Sequence, residues 1–331
     1  MISWPYCFYP TTAIFVDDQT SFLNALKHRL SSKLSMDCFN NPTEALNVIQ
    51  NSNVTLSQDL QPLFSIDDKI LELETDVIQQ TYIGLHLDIL SNTIYNSQRF
   101  ATKSVVIVDQ MMPELDGISF CKKIKEYPIK KIMLTSNSDQ SIAVNAFNEG
   151  LIDQFLLKDS PNLEAQLLQK IQTMQRSYFE LRAEYTVGGL TKAVPLISDS
   201  SAIAFYEQIK EELQAVEFYL LDRWGSMLFL DQHGTPTTLV VCSTQNLDVL
   251  SQVAEDQDEH AISESLMRRE KLVFFPKKLD YMRPVTEWRS FLHSVKQFPD
   301  QQDLFYALIT DPLHQPVNIN NIRSYQSYLS M

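Results

Sequence analysis

Five short segments, spread over about 140 residues, constrain this chain more than any other feature. They are Ile14-Phe15-Val16-Asp17-Asp18, Val105-Val106-Ile107-Val108-Asp109, Met112-Pro113-Glu114-Leu115-Asp116-Gly117, Ile132-Met133-Leu134-Thr135-Ser136 and Phe155-Leu156-Leu157-Lys158. Each strand-like run is apolar and ends in a polar residue, and in a parallel α/β sheet the ligand crevice lies beyond the carboxyl ends of the strands. Three carboxylates, a hydroxyl and an ammonium are therefore expected around one point.

The chain between these segments alternates strand and helix. After the strand at 12–18 comes an amphipathic helix from about Thr20 to Lys33, then a short strand at Met36–Phe39. Asn41-Pro42-Thr43-Glu44 has the form of a helix start with Pro in its first turn. Asp18 and Asp109 then lie 91 positions apart, whereas two βα units need roughly 60 residues. The surplus is an insertion at about 51–102, polar and loop-like over Asn51–Asp59. From Ile66 to Asn96 its pattern predicts helices, broken at Gly84, added to the periphery of the sheet. Alternation resumes with the strand ending at Asp109, a helix over Ser119–Glu126, a strand at Lys131–Leu134 and a helix over Gln140–Glu149. Gly150 closes that helix as its C-cap, a strand follows at Gln154–Leu157, and a helix opens near Pro161. Five alternations with right-handed crossovers predict a doubly wound, five-stranded parallel sheet with a helical insertion.

The last helix carries Leu167, Ile171, Met174, Tyr178, Leu181 and Tyr185, a seam at the 3.5-residue period. Two readings are open: a face packed on its own domain, or a dimer helix joining the halves of the chain. The only glycine pair, Gly188-Gly189, marks the boundary. The expected organisation is a first domain over 1–160, a linker helix over 161–190 and an α+β domain over 191–331. In the latter, Val216–Leu221, Ser226–Leu230 and Thr237–Cys242 form an antiparallel meander. Its turns are Asp222-Arg-Trp-Gly225 and Asp231-Gln-His-Gly234, with Asp first and Gly fourth as type I turns favour. Helices at about Asn246–Ala254, Glu259–Glu270 and Val285–Val295 and strands at Leu272–Phe275 and Leu304–Thr310 complete it.

Hydrophobic content of 44% and charged content of 21% describe an ordinary globular protein of 331 residues, long enough for two cores. A net charge of −14 argues against a nucleic-acid partner, which demands clustered Lys and Arg. No apolar run reaches the roughly 18–20 residues that span a bilayer, and Met1–Cys7 lacks the features of a signal peptide. Cys7, Cys38, Cys121 and Cys242 show no CxxC spacing, and Cys38 and Cys121 fall in apolar runs as inert thiols. The expected location is cytoplasmic.

Carboxylates forced together repel unless a cation neutralises them. Asp17, Asp18 and Asp109 offer the hard oxygen ligands that Mg2+ prefers. Asp109 could then attack a phosphoryl group in line, with Lys158 neutralising charge on the transferring oxygens. Thr135 is placed to donate to a phosphate oxygen, and Ser136 keeps the next position small.

Asp109-Gln-Met-Met-Pro-Glu-Leu-Asp-Gly117 resembles the phosphoacceptor loop D-x-x-M-P-x-x-D-G of receiver domains in two-component response regulators. Asp17-Asp18 resembles the acidic pair of that family, Thr135 its switch hydroxyl, Phe155 its switch aromatic and Lys158 its lysine. The resemblance implies a flavodoxin-like receiver. Asp109 would accept phosphate from a sensor histidine kinase or phosphotransfer protein. Asp18, Asp109 and the backbone carbonyl of Met111 would touch Mg2+, with Asp17 acting mainly through a water. Thr135 would move toward the phosphate and draw Phe155 inward. Asp159 departs from the pattern, because the family has proline after the lysine; this puts the cis geometry of that loop in doubt. The insertion, Arg99-Phe100 before Ser104–Asp109, and Ala146–Asp153 are similar to a subgroup of response regulators with an extended receiver, one member of which serves quorum sensing.

The 191–331 region is less informative. It has more Asp and Glu than Lys and Arg, and its one basic run, Arg268-Arg-Glu-Lys271, suits a solvated helix face. GGDEF, EAL and HD-type motifs are missing, as is a GxxxxGK[ST] loop. His233, His260, His293 and His314 have no metal-ligand spacing. Trp224, at a turn tip, either contacts a partner or ligand or packs under an adjacent loop. The reading that results is a phosphorylation-dependent regulator, not an enzyme with a separate catalytic output. It would act through homodimerisation or protein interaction, without direct DNA binding and away from membranes. The alternatives are a phosphate-independent docking module, or a regulator whose C-terminal domain binds a nucleotide or other small ligand.

Overall fold

The computed structural model describes residues 4–52, 64–73, 76–85, 87–136, 139–186, 194–277 and 280–331. Its chain forms two units, each assembled from separate stretches of sequence. One comprises Phe8–Pro62, Asn96–Gly188 and Arg323–Met331, and the other Met1–Cys7, Leu63–Tyr95 and Gly189–Ile322. These divisions differ from the consecutive ones at 160 and 190 that the sequence suggests.

The first unit contains strands β1 (Thr12–Val16), β2 (Met36–Phe39), β3 (Lys103–Asp109), β4 (Lys130–Thr135) and β5 (Gln154–Leu157). They pair in parallel in the order β2-β1-β3-β4-β5. Side chains alternate across a strand, so each run supplies both faces. Ala13, Phe15, Val105, Ile107, Ile132 and Leu134 meet Leu23, Leu26 and Leu30 of α1 (Thr20–Leu30). On the opposite face, Ile14, Val16, Val106, Val108 and Met133 pack with α2 (Pro42–Ser52), α3 (Gly117–Lys123) and α4 (Gln140–Asn148). Covering both faces is what permits strands this continuously apolar. Gly150 does end α4, at φ 67°, with its N–H donated to Phe147 O at 3.0 Å.

The helix expected as a linker is α5 (Leu163–Thr186), and it completes this unit. Leu167, Ile171 and Met174 are buried against the sheet. Tyr178 is 1% exposed, with its ring 5.5 Å from Phe179, which also meets Tyr9 edge-on at 4.7 Å. Leu181 is half-buried, and the side chain of Tyr185 lies outside the described residues. Most of the seam is therefore a face packed on its own domain. Over so short a stretch, a 3.5-residue repeat is indistinguishable from a 3.6-residue apolar stripe.

The insertion corrects the helical expectation. Phe64–Leu73 and Asp76–Leu85 are antiparallel strands, with Ile66 opposite Ile83 and Leu71 opposite Ile78, and among the described residues from Ile66 to Asn96 only Leu87–Tyr95 is helical. Ile66, Ile70, Val77, Ile78, Thr81 and Ile83 are β-branched, and that stiffness suits a pleated surface. Their apolar spacing fits either period, so cross-strand pairing decided. Most of the expected loop at Asn51–Asp59 lies outside the described residues.

In the second unit the meander runs through Ala215–Leu220, Met227–Asp231 and Pro236–Ser243. Leu304–Ile309 and Lys296–Gln297 extend it on one side and a short strand at Cys7 on the other, giving six strands. The two expected turns are built alike. Asp222 Oδ1 accepts from the backbone of Trp224 and Ser226, and Asp231 Oδ1 from that of His233 and Thr235. Helices form at Thr244–Glu255 and His260–Met267. The helix expected over Val285–Val295 is instead a 3-10 segment, Val285–Phe291, leading into a strand, Leu292–Ser294. That strand pairs with Lys271–Val273, and the ladder captures residues whose pattern alone favours a helix. No helix among the described residues is long and apolar enough to cross a membrane.

Candidate functional site

Strand order reverses between β1 and β3, and ligands of open α/β sheets bind at such a switch point. Asp17 and Asp18 leave β1 there and Asp109 ends β3. Oxygens of all three lie within 4.8 Å of one another. Lys158, just beyond β5, anchors its backbone N–H to Thr135 O at 2.9 Å. Its Nζ reaches Asp17 Oδ2 at 2.7 Å and Asp109 Oδ1 at 3.0 Å, and stands 5.0 Å over the Phe22 ring.

Burial governs the electrostatics. Asp17 and Asp109 are 1% and 4% exposed. Burial pushes the Asp109 carboxyl above the usual carboxylate range, opposed by the Lys158 ammonium and reinforced by Asp17. For Lys158 burial acts downward, but hydrogen bonds and charge from Asp17 and Asp109 outweigh it and hold the ammonium above its ordinary value. Asp17 Oδ1 accepts from Gln19 N at 2.9 Å, whereas Asp18 Oδ1 is buried without a hydrogen-bond partner. An orphaned carboxylate oxygen among hard oxygen donors fits a small divalent cation such as Mg2+.

The remaining sequence-predicted residues line the same end of the sheet. Thr135 closes β4, fully buried, with Oγ1 donating to Ser136 O at 3.2 Å. Phe155, on β5 beside Met133, is half-buried, its ring 6.3 Å from that of Phe147. Met111 sits in the loop after β3 with its side chain 63% exposed. No peptide bond is cis among the described residues, including the one before Asp159.

The structure also gives roles to two loop residues that the motif merely contains. Asp116 caps α3, accepting from Ser119 N at 2.8 Å. Gly117 donates its N–H to Gln110 O at 3.0 Å, and a Cβ there would lie 2.5 Å from Asp109 O. The loop is folded back on the backbone of Asp109. A glycine directly after a capping Asp was the available signal.

Residues 91–172 match the family model for the response regulator receiver domain. This span contains Asp109, Thr135, Phe155 and Lys158, while the insertion separates it from Asp17 and Asp18. The fold and the pocket in this part of the chain are thus those of a response regulator receiver domain. Taken whole, the chain resembles the Legionella pneumophila response regulator LqsR, with a TM-score of 0.77 and 29% identity over 99% of this chain and 96% of that one. A 65-residue stretch is 37% identical to the DNA-binding transcriptional regulator NtrC of Proteus hauseri. That stretch is 19% of this chain and 14% of the relative, so the likeness does not extend to the rest of that protein.

Proposed function

We propose that the chain is a phosphorylation-dependent regulator that accepts a phosphoryl group on Asp109 from a sensor histidine kinase or phosphotransfer protein. The observation that carries this reading is Lys158 Nζ held between Asp17 and Asp109 at 2.7 and 3.0 Å, beside the unpartnered Asp18 oxygen. Asp109 attacks phosphorus in line, its Oδ–P bond forms, and the bond from phosphorus to the donor nitrogen or oxygen breaks. Lys158 receives a phosphoryl oxygen as the attacking carboxylate loses its charge. Mg2+ held by Asp17, Asp18, Asp109 and the Met111 carbonyl would supply further positive charge beside those oxygens. Thr135 donates to the phosphoryl group, and Phe155 follows it inward.

The resemblance of the insertion and its flanks to the extended-receiver subgroup, one member of which serves quorum sensing, supports such a role here, and the acidic balance supports output through dimerisation or protein interaction rather than DNA. The test is labelling by a small phosphodonor with Mg2+, followed by intact mass and light scattering. One phosphoryl group per chain is expected, accompanied by dimerisation and abolished by chelator and by Asp109→Asn. Stoichiometric labelling of that variant would overturn the site, and a phosphodonor that changes neither mass nor size would favour a docking module.

A further inference from the structure

A cavity of about 360 Å³ in the second unit is lined by Arg223, Trp224, Gln245, Asn246, Val249 and Leu250. Its volume lies near the lower end of small-molecule sites, roughly 300–1,000 Å³. Three observations define what it would hold. The first is charge: the Arg223 guanidinium stands 4.8 Å over the Trp224 ring and has no carboxylate partner among the described residues. The other four arginines of this unit, Arg268, Arg269, Arg283 and Arg289, each pair with an acid. No acidic side chain lines the cavity, which is notable in a chain of net charge −14. The second is polarity: the side-chain amides of Gln245 and Asn246 make no hydrogen bond within the protein among the described residues. The third is shape. Leu250 and Val249, the latter 57% exposed, give an apolar wall facing the indole.

The turn that carries Arg223 and Trp224 is fixed in advance. Asp222 Oδ1 accepts from Trp224 N at 2.8 Å and Ser226 N at 3.0 Å, and Tyr206 Oη donates to Gly225 O at 2.9 Å. Gly225 has φ 89°, and a Cβ there would strike Tyr206 Oη at 2.4 Å. Such preorganisation lowers the entropic cost of binding.

We propose that this cavity binds a small organic carboxylate. Its apolar body lies between Trp224 and the Val249–Leu250 wall, and its carboxylate is received by the guanidinium fork of Arg223 beside the Gln245 and Asn246 amides. The inference rests on the second unit alone and is independent of phosphorylation at Asp109.

The full chain has three tryptophans, and Trp4 and Trp288 are buried. Fluorine NMR of protein labelled with fluorotryptophan, assigned by Trp224→Phe, therefore reads the cavity directly. Phenylbutyrate is expected to shift the Trp224 resonance alone and saturably. Phenylbutanol, of similar size but uncharged, should bind about tenfold more weakly, and Arg223→Gln should weaken phenylbutyrate by a similar factor. Unshifted Trp4 and Trp288 resonances verify that the variant is folded, and the wild-type comparison of acid with alcohol stands without it. The proposal is overturned if Trp224 does not shift saturably, if acid and alcohol bind equally, or if Arg223→Gln binds as the wild type does. A Trp224 shift produced by raising protein concentration alone would assign the cavity to a second copy of the chain, and would also overturn it.

Discussion

Gly117 shows how closely the backbone is fitted around the acceptor. Its α-carbon faces the Asp109 carbonyl, and an added methyl group would lie 2.5 Å from that oxygen and 3.0 Å from Gln110 Cα. These neighbours are main chain and cannot rotate away. Gly117→Ala should therefore displace the end of β3, at a cost of about 1–3 kcal/mol in urea unfolding. Phosphodonor labelling should slow even though Asp109 itself is intact, and unchanged stability and labelling would refute the close fit. The pocket residues were legible in sequence because each terminates an apolar run, a position set by the strand that precedes it. The unpartnered oxygen of Asp18 was not legible, because it depends on what the neighbouring loops leave unfilled.

At the scale of the element, α5 separates two meanings of an apolar stripe. Ile171 is fully buried among Leu134, Leu156 and Leu167, while Leu181 is half-buried. Ile171→Glu should destabilise the receiver itself by about 3–5 kcal/mol, because it creates both a lost contact and a buried charge. Chemical denaturation would measure it. Leu181→Glu should leave the melting temperature within about 2 °C of the wild type. If the Leu181 end of the seam joins two copies, the same change abolishes the phosphodonor-induced dimer in light scattering, and an intact dimer would refute that role. The insertion teaches a related lesson. Strand and helix were both compatible with the spacing of Ile66, Ile70, Val77 and Ile78, and the register Ile66–Ile83 settled the matter.

At the scale of the molecule, the C-terminal residues Arg323–Met331 belong to the receiver unit. Tyr325, in the helix Tyr325–Leu329, is 6% exposed, packs 5.1 Å from the Phe100 ring, and accepts from Ser35 N at 2.9 Å. Arg99 Nη2 donates to Arg323 O at 2.6 Å. A fragment ending at residue 160 lacks both this segment and α5, and should show no cooperative thermal transition. Burial pushes the Tyr325 phenol up to about 12 from its ordinary value of 10.0. Below pH 10 both the folded and the unfolded chain keep this proton, so its contribution is fully present. As pH rises from 10 toward 12 the unfolded chain releases the proton first, and stability falls. Tyr325→Phe should remove that portion of the alkaline loss while costing roughly 1 kcal/mol at neutral pH, where Ser35 N loses its acceptor. An unchanged alkaline slope in urea unfolding between pH 9 and 12 would refute the assignment.

The sequence by itself determined the parallel sheet, the strand ends that carry Asp17, Asp18, Asp109, Thr135 and Lys158, and the two Asp-to-Gly turns of the meander. These depend on local periodicity and turn chemistry, which neighbouring residues dictate. Only the tertiary structure decided that the insertion contains a hairpin, that most of the α5 seam faces inward, and that both chain ends are counted with units remote from them in sequence. Those outcomes depend on which distant apolar surface is available to cover each element, and burial is indifferent to sequence separation.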